Sequence, residues 1–253
     1  MTDQTAAAIP PILELRQVSK SFGRLQVLTS LSFSLSEGAA LGILGPNGAG
    51  KTTMLNLIAG EISAASGQVL FRGADITVEP APERCRRGIG RTYQIPRPFV
   101  GMTVFENVLV GAVYGRGSGL SRKRHDQDAN DLCREVLQQT GLLERADVLA
   151  GNLGLLERKR LELARALATR PSLLLLDEIA GGLTDPEVRA LLEVIAEIRA
   201  RRITIIWIEH IVHALISVVD RILAINFGVK LAEGLPQEVL ASREFQEIYL
   251  GVS

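Results

Sequence analysis

Short apolar runs separated by glycines and polar turns organise the first third of the chain. Residues 12–18 favour a strand, and residues 31–36 alternate apolar and polar positions with the period of two typical of a half-buried strand. Residues 39–44 are continuously apolar and end before a glycine, as strands buried on both faces do. Residues 68–72, followed by a glycine, read as a hairpin strand. The pattern predicts a β-rich N-terminal region.

A different pattern begins near residue 91 and continues to about residue 168, where helical spacing replaces strand-like runs. Between residues 129 and 140 the apolar positions fall on one helical face. Two further buried strands, over residues 172–176 and 203–208, are separated by a helix over residues 186–200. Because strands that alternate with helices form parallel sheets, we predict an α/β core with a mostly parallel sheet, interrupted by a helical lobe.

Composition limits the classes of function. The chain has 253 residues, of which 47% are hydrophobic, so a sizeable core is expected. Lys and Arg together number 28, as do Asp and Glu, and this zero net charge gives no indication of nucleic-acid binding. The sequence shows no secretory signal, and charged residues interrupt its longest apolar stretch, residues 203–227. We expect reduced cysteines, a cytoplasmic location and no direct membrane insertion.

A glycine-rich segment follows the predicted strand at residues 39–44. It fits the pattern GxxxxGK[ST] at every fixed position, and it consists of Gly45, Pro46, Asn47, Gly48, Ala49, Gly50, Lys51 and Thr52. Thr53 continues into an apolar helix, so the strand–loop–helix context is the expected one. Backbone N–H groups at such a helix start bind phosphate, the lysine reaches the β- and γ-phosphates, and the threonine ligates Mg²⁺. The alternative, a strand-to-helix turn without a ligand, leaves this agreement unexplained.

Two acids end the predicted strand at residues 172–176. In combination with the phosphate loop, Asp177 is expected to bind Mg²⁺ through water, and Glu178 to act as general base on the attacking water. An ordinary exposed strand terminus is the competing interpretation.

Taken in order, the motifs resemble those of an ATP-binding cassette (ABC) subunit over nearly the full chain. Phe22 lies where the family stacks an aromatic ring on adenine, and Gln94 matches the glutamine that contacts Mg²⁺ and links the core to the helical lobe. Residues 182–185 resemble the loop that crosses the dimer interface, and His210 matches the histidine that contacts the γ-phosphate. The resemblance implies a P-loop NTPase core with an N-terminal antiparallel β-subdomain and an inserted α-helical subdomain.

The resemblance also implies domain boundaries. Residues 1–11 are expected to be a flexible tail, and residues 12–253 an ABC ATPase domain. Within that domain the nucleotide-binding core covers residues 12–90 and 169–235, the helical subdomain residues 91–168, and a C-terminal segment residues 236–253.

The segments 90–94, 102–111, 208–210 and 249–251 resemble the branched-chain amino acid importer type. That type implies an ATPase that uses ATP and Mg²⁺, lies at the inner face of the cell membrane, and pairs with a second ABC ATPase subunit as a homodimer or heterodimer. Integral membrane permease subunits carry the solute, which is a branched-chain or related amino acid, urea or another amide.

One motif departs from the family. The segment aligned with LSGGQ consists of Leu153, Gly154, Leu155, Leu156 and Glu157, and only its first residue matches. In the family this segment caps the ATP held by the opposite subunit. Losing the serine hydroxyl removes a hydrogen bond to a charged group, about 1.5–3 kcal/mol. We expect an intact P-loop half-site and an impaired signature half-site, so that one composite site of a heterodimer is slow.

Several alternatives remain open from the sequence. The basic run 158–160 is expected to be a solvated helix face, or to attract the opposite phosphate. A homodimer that works with this signature, an ATP-binding pseudo-ATPase and a non-transport ABC regulatory protein are the rival interpretations. Residues 93–106 are apolar enough to line a docking groove for a membrane subunit or to form a small satellite core.

Overall fold

The computed structural model describes residues 10–115 and 122–250, without the side chains of residues 122–126 and 248–250. Residues 1–9 of the predicted tail and Gly251 of the C-terminal resemblance lie outside the described residues. The strands are β1 (Leu13–Phe22), β2 (Leu25–Leu35), β3 (Ala40–Leu44), β4 (Ser66–Phe71), β5 (Ala74–Asp75), β6 (Ile89–Arg91), β7 (Leu173–Asp177), β8 (Thr204–Ile208), β9 (Arg221–Asn226) and β10 (Val229–Gly234). The α-helices are α1 (Lys51–Ala59), α2 (Ala81–Arg87), α3 (Val104–Tyr114), α4 (Arg122–Gln139), α5 (Leu155–Ala168), α6 (Asp185–Ala200), α7 (Val212–Ile216), α8 (Pro236–Ala241) and α9 (Arg243–Leu250).

Two sheets form the framework of the described residues. The first is antiparallel, with the order β2-β1-β4-β5, and the second has the order β10-β9-β3-β8-β7-β6. In the second sheet the pairs that join β9, β3, β8, β7 and β6 are parallel, and only β10 runs antiparallel to its neighbour. The predicted α/β class, with a mostly parallel sheet and an N-terminal antiparallel sheet, is therefore confirmed.

The apolar strands separate two layers of core. Along β7, Leu174 and Leu176 pack in one hydrophobic cluster, whereas Leu173 and Leu175 pack in the other. This division follows from the alternation of side chains on a strand buried on both faces. Helices α3, α4 and α5 contribute to the first cluster and α1 to the second, so the sheet lies between them.

The first two strands are longer than the pattern predicted. The pairing of β1 with β2 shifts register between Leu15 and Val18 and again near Lys20, and Gln17 and Ser30 have φ angles of 48° and 49°. Such irregularities interrupt the period of two, because a bulge changes which face the following side chains occupy. Helix α5 begins at Leu155, within the segment aligned with LSGGQ.

The predicted helical face at residues 129–140 is confirmed. Ala129, Cys133, Val136 and Leu137 are buried on α4, and Thr140 just beyond it is buried as well. Within the described ranges, no helix has the length and apolar character needed to cross a membrane.

Candidate functional site

The loop between β3 and α1 is shaped by glycines that other residues could not replace without strain. Gly50 precedes the first residue of α1 with φ 98°, and a Cβ there would lie 2.8 Å from the Val27 carbonyl oxygen. A Cβ on Gly45 would lie 2.4 Å from the Ile225 carbonyl oxygen. The loop therefore fits tightly between β2 and the end of β9. The N-terminus of α1 has no acidic residue in its first turn and no side-chain cap.

Lys51 is held at the base of this loop. Its side chain is buried, and Nζ donates hydrogen bonds to the carbonyl oxygens of Gly45 at 2.6 Å and Pro46 at 3.1 Å. Burial lowers the pKa of Lys51, while the negative charges of Glu178 and Asp177 oppose this effect. The ammonium group therefore lies in the phosphate loop and faces the two carboxylates at the end of β7.

Thr52, in the first turn of α1, and Asp177, at the end of β7, lie close together. The Thr52 hydroxyl lies 3.4 Å from Asp177 Oδ1, and Arg91 Nη2 lies 3.2 Å from Asp177 Oδ2. Burial raises the pKa of Asp177, and the positive charge of Arg91 opposes the rise. Arg91 also pairs with Glu61 at 3.1 Å.

The donors at this point fit Mg²⁺. One hydroxyl and one carboxylate are oxygen ligands of the kind this ion accepts, and it usually completes its shell with water and phosphate oxygens rather than with an all-protein cage. Within the described residues, no group of three or more His, Cys, Asp or Glu residues is arranged to hold a metal. These residues could therefore supply a few oxygen ligands of mixed type rather than a cluster of carboxylates.

The carboxylate of Glu178 is held by two side chains. Gln94 Nε2 donates to Oε2 at 2.6 Å, and His210 Nε2 lies 2.6 Å from Oε1. The backbone of Glu178 has a φ angle of 47°, and its N–H donates to the Ile208 carbonyl oxygen at 2.9 Å. A non-glycine residue in this region is strained, and such strain is concentrated at functional sites.

Most of these side chains line one cleft of about 650 Å³, but the buried Asp177 and the largely buried side chain of Arg91 are not part of its lining. Its lining residues are Leu25, Val27, Asn47, Gly48, Ala49, Gly50, Lys51, Thr52, Thr53, Gln94, Glu178 and His210. The structure thus brings the P-loop together with three of the residues singled out beyond it. Phe22 is not part of this lining; its ring is half exposed with Lys20 Nζ 5.1 Å from its centroid.

The signature-aligned segment lies at the N-terminus of α5, and the carboxylate of its own Glu157 already accepts a backbone N–H there. Glu157 Oε2 accepts a hydrogen bond from the Gly154 N–H at 3.0 Å, and Glu157 Oε1 lies 2.9 Å from Arg145 Nε. Leu153 is buried, whereas Leu155 is exposed and lies beside Gly182 of the 182–185 loop.

Both expectations for the basic run 158–160 were wrong for Lys159. The side chain is 4% exposed, and Nζ donates to the carbonyl oxygens of Gln94 at 3.1 Å and Glu178 at 3.2 Å. It belongs to the interior because α5 turns this position towards the sheet, on the helical stripe that also carries the buried Leu163 and Ala166. A cation on an apolar helical stripe was the signal that sequence reasoning missed.

Arg91 and Glu209 were also missed. Glu209 is 1% exposed; its carboxylate accepts hydrogen bonds from the N–H groups of Ala180 and His210 at 3.1 Å each, and burial raises its pKa. Glu209 thereby links Ala180, two positions before the 182–185 loop, to the backbone of His210. Its place beside His210 was visible in the sequence, but its partner Ala180 contributes only a backbone group.

A second cleft of about 270 Å³ lies between the β6 region and helices α3 and α5. Cys85, Tyr93, Val110 and Tyr114 are among its lining residues. Tyr93 donates from its hydroxyl to Glu61 at 2.7 Å, and burial together with this bond raises the pKa of Tyr93 to about 12.

Of the apolar residues proposed to line a docking groove, Phe99, Val100 and Met102 are exposed. Phe105 instead packs against the core. The satellite-core alternative therefore applies to Phe105 and not to the other three.

Comparison with known proteins agrees with this geometry. The family model described as "ABC transporter" matches residues 28–181. The high-affinity branched-chain amino acid transport ATP-binding protein LivG of Salmonella typhimurium is 36% identical over 250 residues, which cover 95% of this chain and 98% of the relative. The probable branched-chain amino acid transport ATP-binding protein LivG of Archaeoglobus fulgidus is 32% identical over 246 residues, which cover 95% of both.

Among solved structures, a nucleotide-free ATP-binding cassette from an ABC transporter superposes with a TM-score of 0.85 at 30% identity, covering 96% of this chain and 100% of that chain. The ADP conformation of MJ1267, an ATP-binding cassette of an ABC transporter, gives a TM-score of 0.84 at 30% identity, covering 96% and 99%. The chain therefore belongs to the ABC transporter family, as an ATP-binding subunit that couples ATP hydrolysis to transport.

Proposed function

We propose that the chain powers an importer of branched-chain or related amino acids by hydrolysing Mg²⁺-ATP in the cleft between β3, β7 and β8. The observation that carries this proposal is the position of Glu178, held between Gln94 and His210 opposite the phosphate loop. A carboxylate fixed in this way is suited to accept a proton from an attacking water. The names of the relatives support the solute class; urea or another amide is the alternative solute.

The phosphate loop supplies binding and charge stabilisation. N–H groups at the start of α1 and the ammonium of Lys51 face the place of the β- and γ-phosphates, and no acidic residue in the first turn of α1 opposes them. Phe22 is proposed to stack on the adenine.

Thr52 and Asp177 are the residues that would hold Mg²⁺, with Gln94 as a further ligand. The ion, when bound, would neutralise charge that develops on the transferring phosphoryl group. Asp177 is oriented for this role by its hydrogen bonds with Thr52 and Arg91.

Gln94 and His210 orient the carboxylate of Glu178, and both respond to the presence of the γ-phosphate. The Gln94 amide donates to one carboxylate oxygen, which leaves the amide oxygen available to a ligand. His210 is exposed enough to contact nucleotide, since its side chain is 42% exposed. The binding-only alternative would be favoured by loss of the base or of the P-loop lysine, and both residues are present.

A complete site needs a second cassette, because the signature segment of one subunit covers the nucleotide of the other. We propose that Leu153, Gly154, Leu155, Leu156 and Glu157 form a weakened cover, so the partner is a different ATPase subunit with an intact signature. Permease subunits hold the dimer at the inner face of the membrane. Exposed Phe99, Val100 and Met102, together with the cleft at Tyr93 and Tyr114, form the proposed contact with them.

The test of hydrolysis is steady-state ATP turnover by the full chain across protein concentrations. Glu178→Gln should lower kcat by about 10²- to 10⁴-fold while ATP still binds, because a general base contributes that much. Lys51→Ala is the blank. Turnover unchanged in Glu178→Gln would contradict the assignment of the base. Nucleotide binding without turnover above the blank would indicate that the second ATPase must be added.

The permease contact is tested with Phe99→Asp, which places a charge on the proposed docking surface. Membrane recruitment should be lost while ATP binding and the thermal midpoint of unfolding remain at wild-type values. Loss of folding instead would show that Phe99 belongs to a core. The solute is tested by deleting the gene in its host and measuring uptake of labelled leucine, isoleucine, valine and urea; unchanged uptake of all of them would contradict the solute class.

A further inference from the structure

Lys159 makes a contact that a surface cation would not make. It lies in the second turn of α5, and its ammonium donates to two backbone carbonyl oxygens, of Gln94 at 3.1 Å and of Glu178 at 3.2 Å. The two carbonyls belong to different segments, one after β6 and one at the end of β7. A lysine near a surface normally extends its ammonium into water, whereas this one points inward.

The same two residues are already joined through their side chains. Gln94 Nε2 donates to Glu178 Oε2 at 2.6 Å. Gln94 and Glu178 are thus joined twice, once directly through their side chains and once through Lys159, which bonds to both of their carbonyl oxygens. One ammonium therefore sets the separation of the two segments that present the carboxylate and the amide.

Lys159 also holds a strained backbone. Glu178 has a φ angle of 47°, which costs a non-glycine residue about 1–3 kcal/mol and persists only when neighbours fix it. The Glu178 N–H donates to the Ile208 carbonyl oxygen, and the Glu178 carbonyl oxygen accepts from the Gly181 N–H and from Lys159 Nζ. Both backbone polar groups of the proposed base are thus bonded, and Lys159 supplies the bond that comes from α5.

Nearby carboxylates offset part of the cost of burying the Lys159 ammonium. Burial lowers the pKa of Lys159, and the carboxylates of Glu209 and Glu178 act in the opposite direction. Arg160, the next residue on the helix, lies towards Gly141 instead, where a Cβ would be 3.0 Å from its Nη1.

We propose that Lys159 is a positioning residue for Glu178 and Gln94, through which the helix that follows the signature segment acts on the ATP site of its own chain. This inference rests on the proposed role of Glu178 as the base. It gives α5 a function that does not depend on its altered N-terminus: a movement of α5 displaces the base and the amide of the same subunit together.

The test compares three variants of the full chain. Lys159→Met keeps an unbranched side chain and removes the ammonium, and Lys159→Arg restores a cation. Arg160→Met is the matched control. Lys159→Met should lower kcat about 100-fold, the loss expected for a misplaced catalytic group. The Kd for ATP should not change comparably. Lys159→Arg should recover part of kcat, and Arg160→Met should retain it. In a Glu178→Gln background, Lys159→Met should cause no further loss of turnover.

Amide hydrogen exchange measured on the same variants separates this proposal from the proposed function. Lys159→Met should speed exchange within residues 92–95 and 177–181, while exchange in β3 and β8 stays slow and Arg160→Met leaves all of these segments as in wild type. If the wild-type chain shows no turnover, only the assignment of the isolated chain as an active ATPase fails, and exchange alone decides the role of Lys159. Exchange that is unchanged in Lys159→Met, or raised equally by Arg160→Met, would overturn the proposal.

Discussion

Two helices of this chain begin where the family places a nucleotide phosphate, and their N-termini differ in what they offer an anion. Helix α1 begins after Gly50, with no acidic residue in its first turn and a buried lysine beside it. Helix α5 begins after Gly154, where the carboxylate of Glu157 already accepts the Gly154 N–H and pairs with Arg145. The glycine at a helix start is therefore not what makes an anion site; what matters is whether the chain supplies its own anion there.

The most direct test of this difference is to restore the family's residues at the N-terminus of α5. Gly154→Ser combined with Leu156→Gly should raise turnover roughly tenfold to a hundredfold, because a hydrogen bond to a charged group contributes about 1.5–3 kcal/mol. Steady-state ATP hydrolysis measures the effect. Gly101→Ser is the matched control, since a Cβ at Gly101 meets nothing within 4 Å. Unchanged or reduced turnover in the double variant would argue against a weakened signature.

The need for glycine at the N-terminus of α1 can be tested by comparing two glycines of the phosphate loop. Gly48 and Gly50 both have positive φ angles, of 82° and 98°, but a Cβ meets nothing within 4 Å at Gly48 and lies 2.8 Å from Leu28 Cδ2 at Gly50. Gly48→Ala should cost about 1–2 kcal/mol of unfolding free energy from the left-handed backbone alone. Gly50→Ala should cost about 1–3 kcal/mol more from overpacking, and ATP affinity should fall with it. If urea unfolding shows equal losses of unfolding free energy in the two variants, the residues around Gly50 move aside without a measurable cost.

The smallest effect concerns the carboxylate at α5. Glu157→Gln should lower the unfolding free energy by about 0.5–1 kcal/mol, since it removes a charge at the helix N-terminus and the pair with Arg145. The part due to Arg145 should disappear in high salt. Glu106→Gln, which removes the charge from the capping box of α3 but keeps an oxygen to accept the Thr103 N–H, is the control for the loss of a charge at a helix start without Arg145. A larger loss in Glu106→Gln than in Glu157→Gln would show that Glu157 contributes little at this helix start.

The phosphate loop and the strand-end acids could be predicted because local rules determine them. GxxxxGK[ST] has to follow a strand and open a helix, and β3, β8 and β7 are adjacent parallel strands whose carboxyl ends meet at one edge of the sheet. Asp177 was expected near the phosphate loop because it ends a buried strand, and His210 was expected there from the family resemblance; the strand order explains why the two residues lie at the same edge. The family assignment followed from the order of these motifs.

The rest of the site depends on contacts that leave no pattern in the sequence. Lys159 bonds to backbone carbonyls of residues 65 and 19 positions away, and a carbonyl oxygen is the same for every residue type. Arg91 meets Asp177 across 86 positions, and only the pairing of β6 with β7 brings them together. The basic run 158–160 was interpreted by charge alone, although the three positions face different surroundings on the helix.

The order of strands has a consequence for which parts of the site can move. Strand β3, which carries the phosphate loop, is paired on both sides, by β8 and β9, whereas β6 has three residues and pairs only with β7 in the described sheet. A short edge strand is the least costly part of a sheet to displace, because few backbone hydrogen bonds hold it. Gln94 follows that strand by three positions, so the amide proposed to contact Mg²⁺ follows a short edge strand, whereas the phosphate loop follows a strand that is paired on both sides. If nucleotide binds as proposed, Gln94 can be displaced at the loss of few hydrogen bonds of the sheet.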